Sequence, residues 1–421
     1  MITYSSKHLY MVYSYYITIK REEIVIKKVI PIMVILLLIC STFGVSRTIE
    51  KSYTHNKDGN TLYVGGDGIG NYSKIQDAID NATDGDTVFV YNGTYFENIT
   101  IDKTLSVLGE NKENTIIDGG NTGNVVTVFA DKVIFSGFKV QNSGSDWDIS
   151  GILIEPCCNG SIINDNYIVN NYGGIRLRGS GYNIITDNTI IENGYRGIIL
   201  FGAYWGNNSR HRVNSHNNQI INNIISNTRH HGIWATNADN TLIYSNQIFG
   251  NGDHGIFCAY GMNNTISDNM IYSNGESGIR FFDSHKIKHT ATVERNNISH
   301  NENHGIDITG TIFSIEINNN NICSNGNAGL ILWGAYRCKI IENNFIDNGE
   351  DVTFNASCFN KWRRNYWGEP LMHPKFIFGA LGGPWPFFQF WQRPEIPWVN
   401  IDWRPALKPY DIGVTYETQL C

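Results

Sequence analysis

A glycine followed by an aliphatic residue returns through this chain in a near-fixed register. It stands at Gly151, Gly174, Gly197, Gly232, Gly255, Gly278, Gly305 and Gly329, and Val352 takes the same place once more. The intervals are 23, 23, 35, 23, 23, 27, 24 and 23 residues. Self-similarity of this kind confines the fold to a solenoid or array, in which each repeat buries its apolar face only by stacking on the next.

Two asparagine columns keep the same register. Asn188, Asn223, Asn246, Asn269, Asn296, Asn320 and Asn343 each lie nine residues before an anchor, with Asn166 shifted by one. Asn193, Asn251, Asn274, Asn301, Asn325 and Asn348 lie four before it, and Thr228 breaks that column. Two residues after each member of the first column comes an apolar side chain: Ile168, Ile190, Ile225, Ile248, Ile271, Ile298, Ile322 and Phe345. Short β-branched runs such as "GIRL" and "GIIL" alternate apolar positions with period two, which excludes a helical repeat. Asparagine outnumbers even the 42 glycines. It tolerates the left-handed backbone that sharp corners need, and stacked asparagines bond to one another along an axis. Each repeat is therefore predicted to be one coil of a parallel β-helix, with about ten coils between residues 86 and 360.

In this repeat the chain resembles the right-handed parallel β-helix proteins of the NosD-like, carbohydrate-binding and sugar-hydrolase group, over roughly residues 61–412. The segment "YSKIQDAIDNATDGDTVFVYNGTYFENITI" resembles the start of NosD-like and pectin-esterase-like helices, and "NKWRRNYWG" with "PWVNIDWRPALKPYDI" resembles the end of surface β-helix proteins. The resemblance implies an all-β, pectin-lyase-like solenoid. It leaves the activity open, because that group mixes lyases, hydrolases, epimerases, metal-handling proteins and scaffolds.

The organisation expected runs as follows. Residues 1–46 hold an N-terminal extension with a signal peptide or anchor, 47–60 a linker, 61–100 an N-terminal cap with first strands, 101–360 the repeats, and 361–421 a capping segment and tail. Ser73 and Gln76 suggest a capping box for a short helix whose apolar face is Ile75, Ala78, Ile79 and Ala82, suited to plug the first coil. Pro and Trp crowd residues 362–405, which suits a C-terminal cap. Lys27 and Lys28 precede a run of twelve apolar residues, 29–40, the length of a signal-peptide core and short for a membrane span. Export is expected, to the surface, the medium or the periplasm, with membrane contact only through this N-terminal segment. The net charge of −7 without long charge runs argues against a nucleic-acid partner. A monomer is expected. No C-x-x-C pair points to structural zinc; Cys258 reads as a core residue, and Cys338 with Cys358 as a possible bridge between rungs.

Nine of the 12 histidines fall between His211 and His304. They are His211, His216, His230, His231, His254, His285, His289, His300 and His304, and three of them precede a Gly-Ile pair. The two lengthened coils, around 203–219 and 283–294, lie in the same stretch. If the residue after each anchor points inward, the next points outward. That outward column reads Leu153, Arg176, Ile199, Trp234, Phe257, Arg280, Asp307, Ile331; two residues on, Phe201, Phe282 and Trp333 recur. Aromatic rings stack on sugar faces and arginine forks a carboxylate. The candidate substrate-binding residues are therefore Trp234, Phe257, Asp307, Arg176 and Phe282, facing a polysaccharide or cell-envelope glycan.

Three functions stay open on this reading. One is glycan binding or an envelope scaffold, in which the histidines only vary a surface. A second is a lyase or C5-epimerase on an acidic glycan, with His231 or His254 as base and Arg280 or Arg176 stabilising the anion. Hydrolysis fits less well, for want of paired outward carboxylates. The third follows from the NosD resemblance: copper held by His230, His231 and His254, with calcium the other metal considered.

Overall fold

A computed structural model describes residues 59–204, 212–283, 290–310, 314–381 and 396–413. The N-terminal apolar run, His211, His285 and His289 lie outside the described residues. No described helix is long and apolar enough to cross a membrane.

The repeats fold into a parallel β-helix with three strands per coil. The first sheet runs from Thr61–Val64 to Lys361–Arg363 in 13 strands, the second from Gly93–Phe96 to Asn344–Ile346 in 11, and the third from Ile99–Ile101 through 13 strands to a closing hairpin. Neighbouring strands in a sheet are one coil apart in sequence, about 4.8 Å apart in space. Between residues 86 and 360 the first sheet has 11 strands, in keeping with the about ten coils expected there, and the stack extends beyond both ends of that stretch. Its first rungs, before Gly151, form without the glycine and asparagine columns, and the strand Lys361–Arg363 adds a rung after them.

The isoleucine stack that follows the asparagines is continuous. Ile168, Ile190, Ile225, Ile248, Ile271, Ile298, Ile322 and Phe345 pair in register and are fully buried in one core. The anchor glycines are explained by crowding. A Cβ on Gly232 would lie 2.7 Å from Ile248 Cγ2, 2.8 Å from the Gly255 carbonyl oxygen and 2.9 Å from Asn251 Nδ2. The coil above leaves no room for a side chain.

The asparagines act differently from the expectation. The left-handed residue at each corner is the one before the ladder asparagine, such as Asp187, Asn222, Ser245, Asp268, Arg295 and Glu342. The asparagine itself is buried and bonds to the next coil. Asn269, for example, accepts from Asn246 N and Nδ2 at 2.9 and 3.0 Å, and donates to Ile243 O, Ser267 O and Asn296 Oδ1, each at 2.9 Å. The ladder runs from Asn166 to Asn365 and ends on the buried carboxylate of Asp402. In the second column Thr228 keeps the chain of bonds, its hydroxyl donating to Asn251 Oδ1 at 2.9 Å.

At the N-terminal end, the helix Ile75–Asn81 buries Ile75, Ala78 and Ile79, with Ala82 just beyond it. The Ser73–Gln76 capping box does not form. The Glu97 carboxylate, from the following coil, instead accepts the Ile75 and Gln76 N–H groups at 2.9 and 3.0 Å, satisfying the helix start. At the other end, the strands Lys375–Leu381 and Ile396–Asp402 pair antiparallel and continue the third sheet. Trp367 stacks on the core ring of Phe345 at 4.9 Å.

The Cys338–Cys358 bridge does not form, and both thiols are free. Cys358 pairs across the rung with Tyr336, two residues out of register, and Cys338 faces the core. Cys258 is a core residue, and Cys323 is disulfide-bonded.

Candidate functional site

The third sheet carries the outward column in register. Leu153, Arg176, Ile199, Trp234, Phe257, Arg280, Asp307 and Ile331 pair successively from coil to coil. Leu153, Arg176 and Ile199 are buried, so the lower third of the column is covered. Arg176 is only 2% exposed. Its guanidinium bonds to Asp148 Oδ1 at 3.0 Å, Trp147 O at 2.6 Å and Ser150 Oγ at 3.1 Å. Its donors are engaged within the protein, which sets it apart from the other candidates.

From Trp234 upward the face opens. The residue before each anchor leans over this sheet, which brings His231 and His254 beside Phe257. The two imidazoles stack with centroids 5.3 Å apart and planes 11° from parallel, and the His231 ring lies 5.1 Å from Phe257 at 8°. Phe282 continues the series, 6.5 Å from Phe257. Arg280 Nη1 lies 3.4 Å from His254 Nε2, and Arg280 Nε lies 3.5 Å from Asp307 Oδ2. Asp307 also accepts the Thr309 hydroxyl at 2.6 Å. Six expected residues, His231, His254, Trp234, Phe257, Arg280 and Asp307, therefore share one patch. It is not the open face expected: His254 and Asp307 are buried and the other four are half-buried.

Burial lowers the basicity of these histidines. His231 is pushed down to about 2, first by burial and then by Arg196 and His254. His254 falls to about 4, through burial and the Arg280 charge, against the opposing carboxylates of Asp307, Glu276 and Asp253. Both rings are neutral at neutral pH. Ser277 N donates to His254 Nδ1 at 3.1 Å, and Ala328 N to His304 Nδ1 at 3.2 Å, so a backbone donor fixes each of these rings. His304 is also lowered by burial.

Copper does not fit these residues. Nitrogen lone pairs lie in the ring plane, and parallel rings present their π faces to each other. His230 Nδ1 is 2.8 Å from Asp253 Oδ2 and its ring meets Tyr195 edge-on. No group of three or more His, Cys, Asp or Glu side chains suited to a metal occurs among the described residues. The same finding leaves calcium without an acidic cage.

Sequence reasoning missed Arg196. It holds the histidine position one coil earlier and reads there as surface variation. In the structure its guanidinium lies between Tyr195, at 4.1 Å from the ring centroid, and Trp234, at 4.0 Å. Sharing the register of His231 was the available signal. Of the two lengthened coils, Ala203–Tyr204 and Arg212–Val213 pair antiparallel, and 205–211 and 284–289 lie outside the described residues.

Comparisons with known proteins agree with this architecture. Residues 203–322 match the family described as right handed beta helix region, and residues 79–211 match the family described as periplasmic copper-binding protein (NosD). No curated protein matches the sequence. The fold is similar to the A-module of the Azotobacter vinelandii mannuronan C-5 epimerase AlgE4, at 15% identity over 70% of this chain and 83% of that one, TM-score 0.50. The AlgE6 A-module of the same organism matches at 15% identity, over 69% and 87%, TM-score 0.56. DFA-IIIase from Arthrobacter chlorophenolicus A6 matches at 14% identity, over 70% and 87%, TM-score 0.51. The chain is a right-handed parallel β-helix protein of the pectate-lyase-like architecture. The NosD match ends before His231, so that description does not extend to the histidine cluster.

Proposed function

We propose that this protein is exported and binds an acidic polysaccharide on the outer face of its third sheet. The observation that carries the reading is the run of parallel rings, His231, His254, Phe257 and Phe282, flanked by the guanidinium groups of Arg196 and Arg280. Their faces meet one another, so the row offers its ring edges as an apolar surface for a sugar chain, and the flanking charges suit its carboxylates. Trp234 and Phe257 supply apolar contact, Arg280 pairs with the carboxylate, and Asp307 orients Arg280. Export is supported by the apolar run 29–40 and by the periplasmic description of the family matched over 79–211.

Lyase or epimerase chemistry is the second reading, suggested by Arg280 lying 3.4 Å from His254, but His254 Nδ1 accepts the Ser277 N–H, so the neutral ring carries its proton on Nε2 and has no free lone pair to act as base. Imidazoles of such low basicity are weak proton acceptors, so binding without turnover is the stronger reading.

The epimerase names of two similar folds set the first probe, mannuronan, with a neutral glucan as control. The parent should bind mannuronan in calorimetry, and Trp234→Ala with Arg280→Ala should weaken it about tenfold or more. Unsaturated or epimerised product that vanishes in His254→Gln would move the assignment to catalysis. Equal binding of the variant and the parent would leave an envelope scaffold.

A further inference from the structure

The C-terminal end of the solenoid holds a cavity of about 750 Å³, remote in sequence from the third-sheet cluster. One wall is the strand Lys361–Arg363, the last of the first sheet. The other wall is the segment 402–410, which follows the closing hairpin.

The charge around this cavity is unusual for a protein of net charge −7. Lys361, Arg363, Arg404 and Lys408 line it, are all exposed, and have no ion-pair partner among the described residues. Arg364, also lining it, pairs with Glu342 at 3.2 Å. The carboxylate inside the wall, Asp402, offers no compensation to an incoming anion. It is fully buried and already accepts the N–H groups of Arg364, Asn365 and Arg404 and the Asn365 amide.

A further feature points to a ligand. Trp403 stands at the same cavity 69% exposed, a large apolar ring left in water.

We propose that this cavity is a second binding site, for an anionic sugar chain. Arginines at two walls fork its acidic groups, and Trp403 covers an apolar sugar face. The proposal does not depend on the third-sheet reading. It adds an anchoring point at one end of the solenoid, so a long polymer that reached both sites would gain avidity.

The test uses the full chain and short oligogalacturonate as probe, in the Trp234→Ala/Arg280→Ala background. Calorimetry should find binding that persists there and falls about tenfold or more on adding Arg363→Ala and Arg404→Ala. Trp403→Ala alone should weaken the oligosaccharide but leave inorganic phosphate unaffected. Arg363 and Arg404 are exposed, so unchanged melting of the variants certifies the fold. Absence of binding in the Trp234→Ala/Arg280→Ala background would overturn the proposal. So would inorganic phosphate competing as well as the oligosaccharide, which would leave a simple anion site. If the pocket changes abolish binding and the third-sheet changes do nothing, the pocket stands and the third-sheet function falls.

Discussion

Two regions of each coil are built under opposite rules. At the corner before the second sheet, one residue type repeats from Asn166 to Asn365, and every side chain bonds to its equivalent above and below. On the outer face of the third sheet, the same register holds Ile199, Trp234, Phe257, Arg280 and Asp307 in turn. The corner is buried, so each polar atom must be satisfied, and identical neighbours satisfy one another. From Trp234 to Arg280 the outer face is only half-buried, and stacking there places no demand for sameness. Where repetition lapses on a scaffold this regular, the side chains are set by something outside the coil.

The sharpest way to break this contrast is to remove one ladder member. Asn269→Ala deletes three donated side-chain hydrogen bonds and strands the buried Asn246 N–H, while Asn246 Nδ2 keeps the Ile220 and Tyr244 carbonyls. It should cost on the order of 4 kcal/mol in chemical denaturation. Trp234→Ala, on the half-buried outer face, should cost roughly 1 kcal/mol. Comparable losses at the two positions would refute the division into a structural corner and a ligand-facing sheet.

The same division explains what could be read from the sequence. The core isoleucines, the anchor glycines and the pairing of the outward column follow from spacing alone, because one residue per coil fixes the register of all the others. The cap on the helix Ile75–Asn81 did not, since its partner Glu97 is brought there only by closing a coil. The left-handed positions were misassigned by one residue for a related reason. Asparagine is common at such corners, and only the hydrogen bonds show that here it serves the ladder while its neighbour bends the chain. Of the candidate site, the shared face of Trp234, Phe257, Arg280 and Asp307 was legible from parity, whereas His231 and His254 join it from the position before the anchor, where parity alone points inward. The engagement of Arg176 by Asp148 and the insertion of Arg196 between two rings depend on side-chain conformations that spacing does not encode.

The buried imidazoles sharpen the comparison through pH. Folded His254 titrates near 4 and folded His231 near 2, whereas unfolded histidine titrates near 6.5. Below about 6.5 the unfolded chain takes up protons that the folded chain refuses, so stability falls as pH falls. The slope is up to about 1.4 kcal/mol per pH unit for each histidine, ending near pH 4 for His254 and continuing below it for His231. Between pH 7 and pH 5, the parent should lose roughly 2 kcal/mol more than His254→Gln in denaturant titrations. Parallel pH profiles for the two proteins would mean that the ring is solvated rather than stacked.

The smallest effect concerns a histidine from the same sequence cluster that belongs to the corner. His300 is exposed, has φ of 55°, and its N–H bonds to the Cys323 carbonyl of the next coil at 3.3 Å. Equivalent corners hold Asn170, Asn227, Ser273, Ser324 and Asp347, all left-handed. What this position requires is therefore a backbone conformation, which asparagine adopts at lower cost than histidine. His300→Asn should raise stability by a few tenths of a kcal/mol, read as a small rise in melting temperature, and leave glycan binding unchanged. Weaker binding in this variant would extend the ligand-facing surface around the corner, and the division between the two regions would have to be redrawn there.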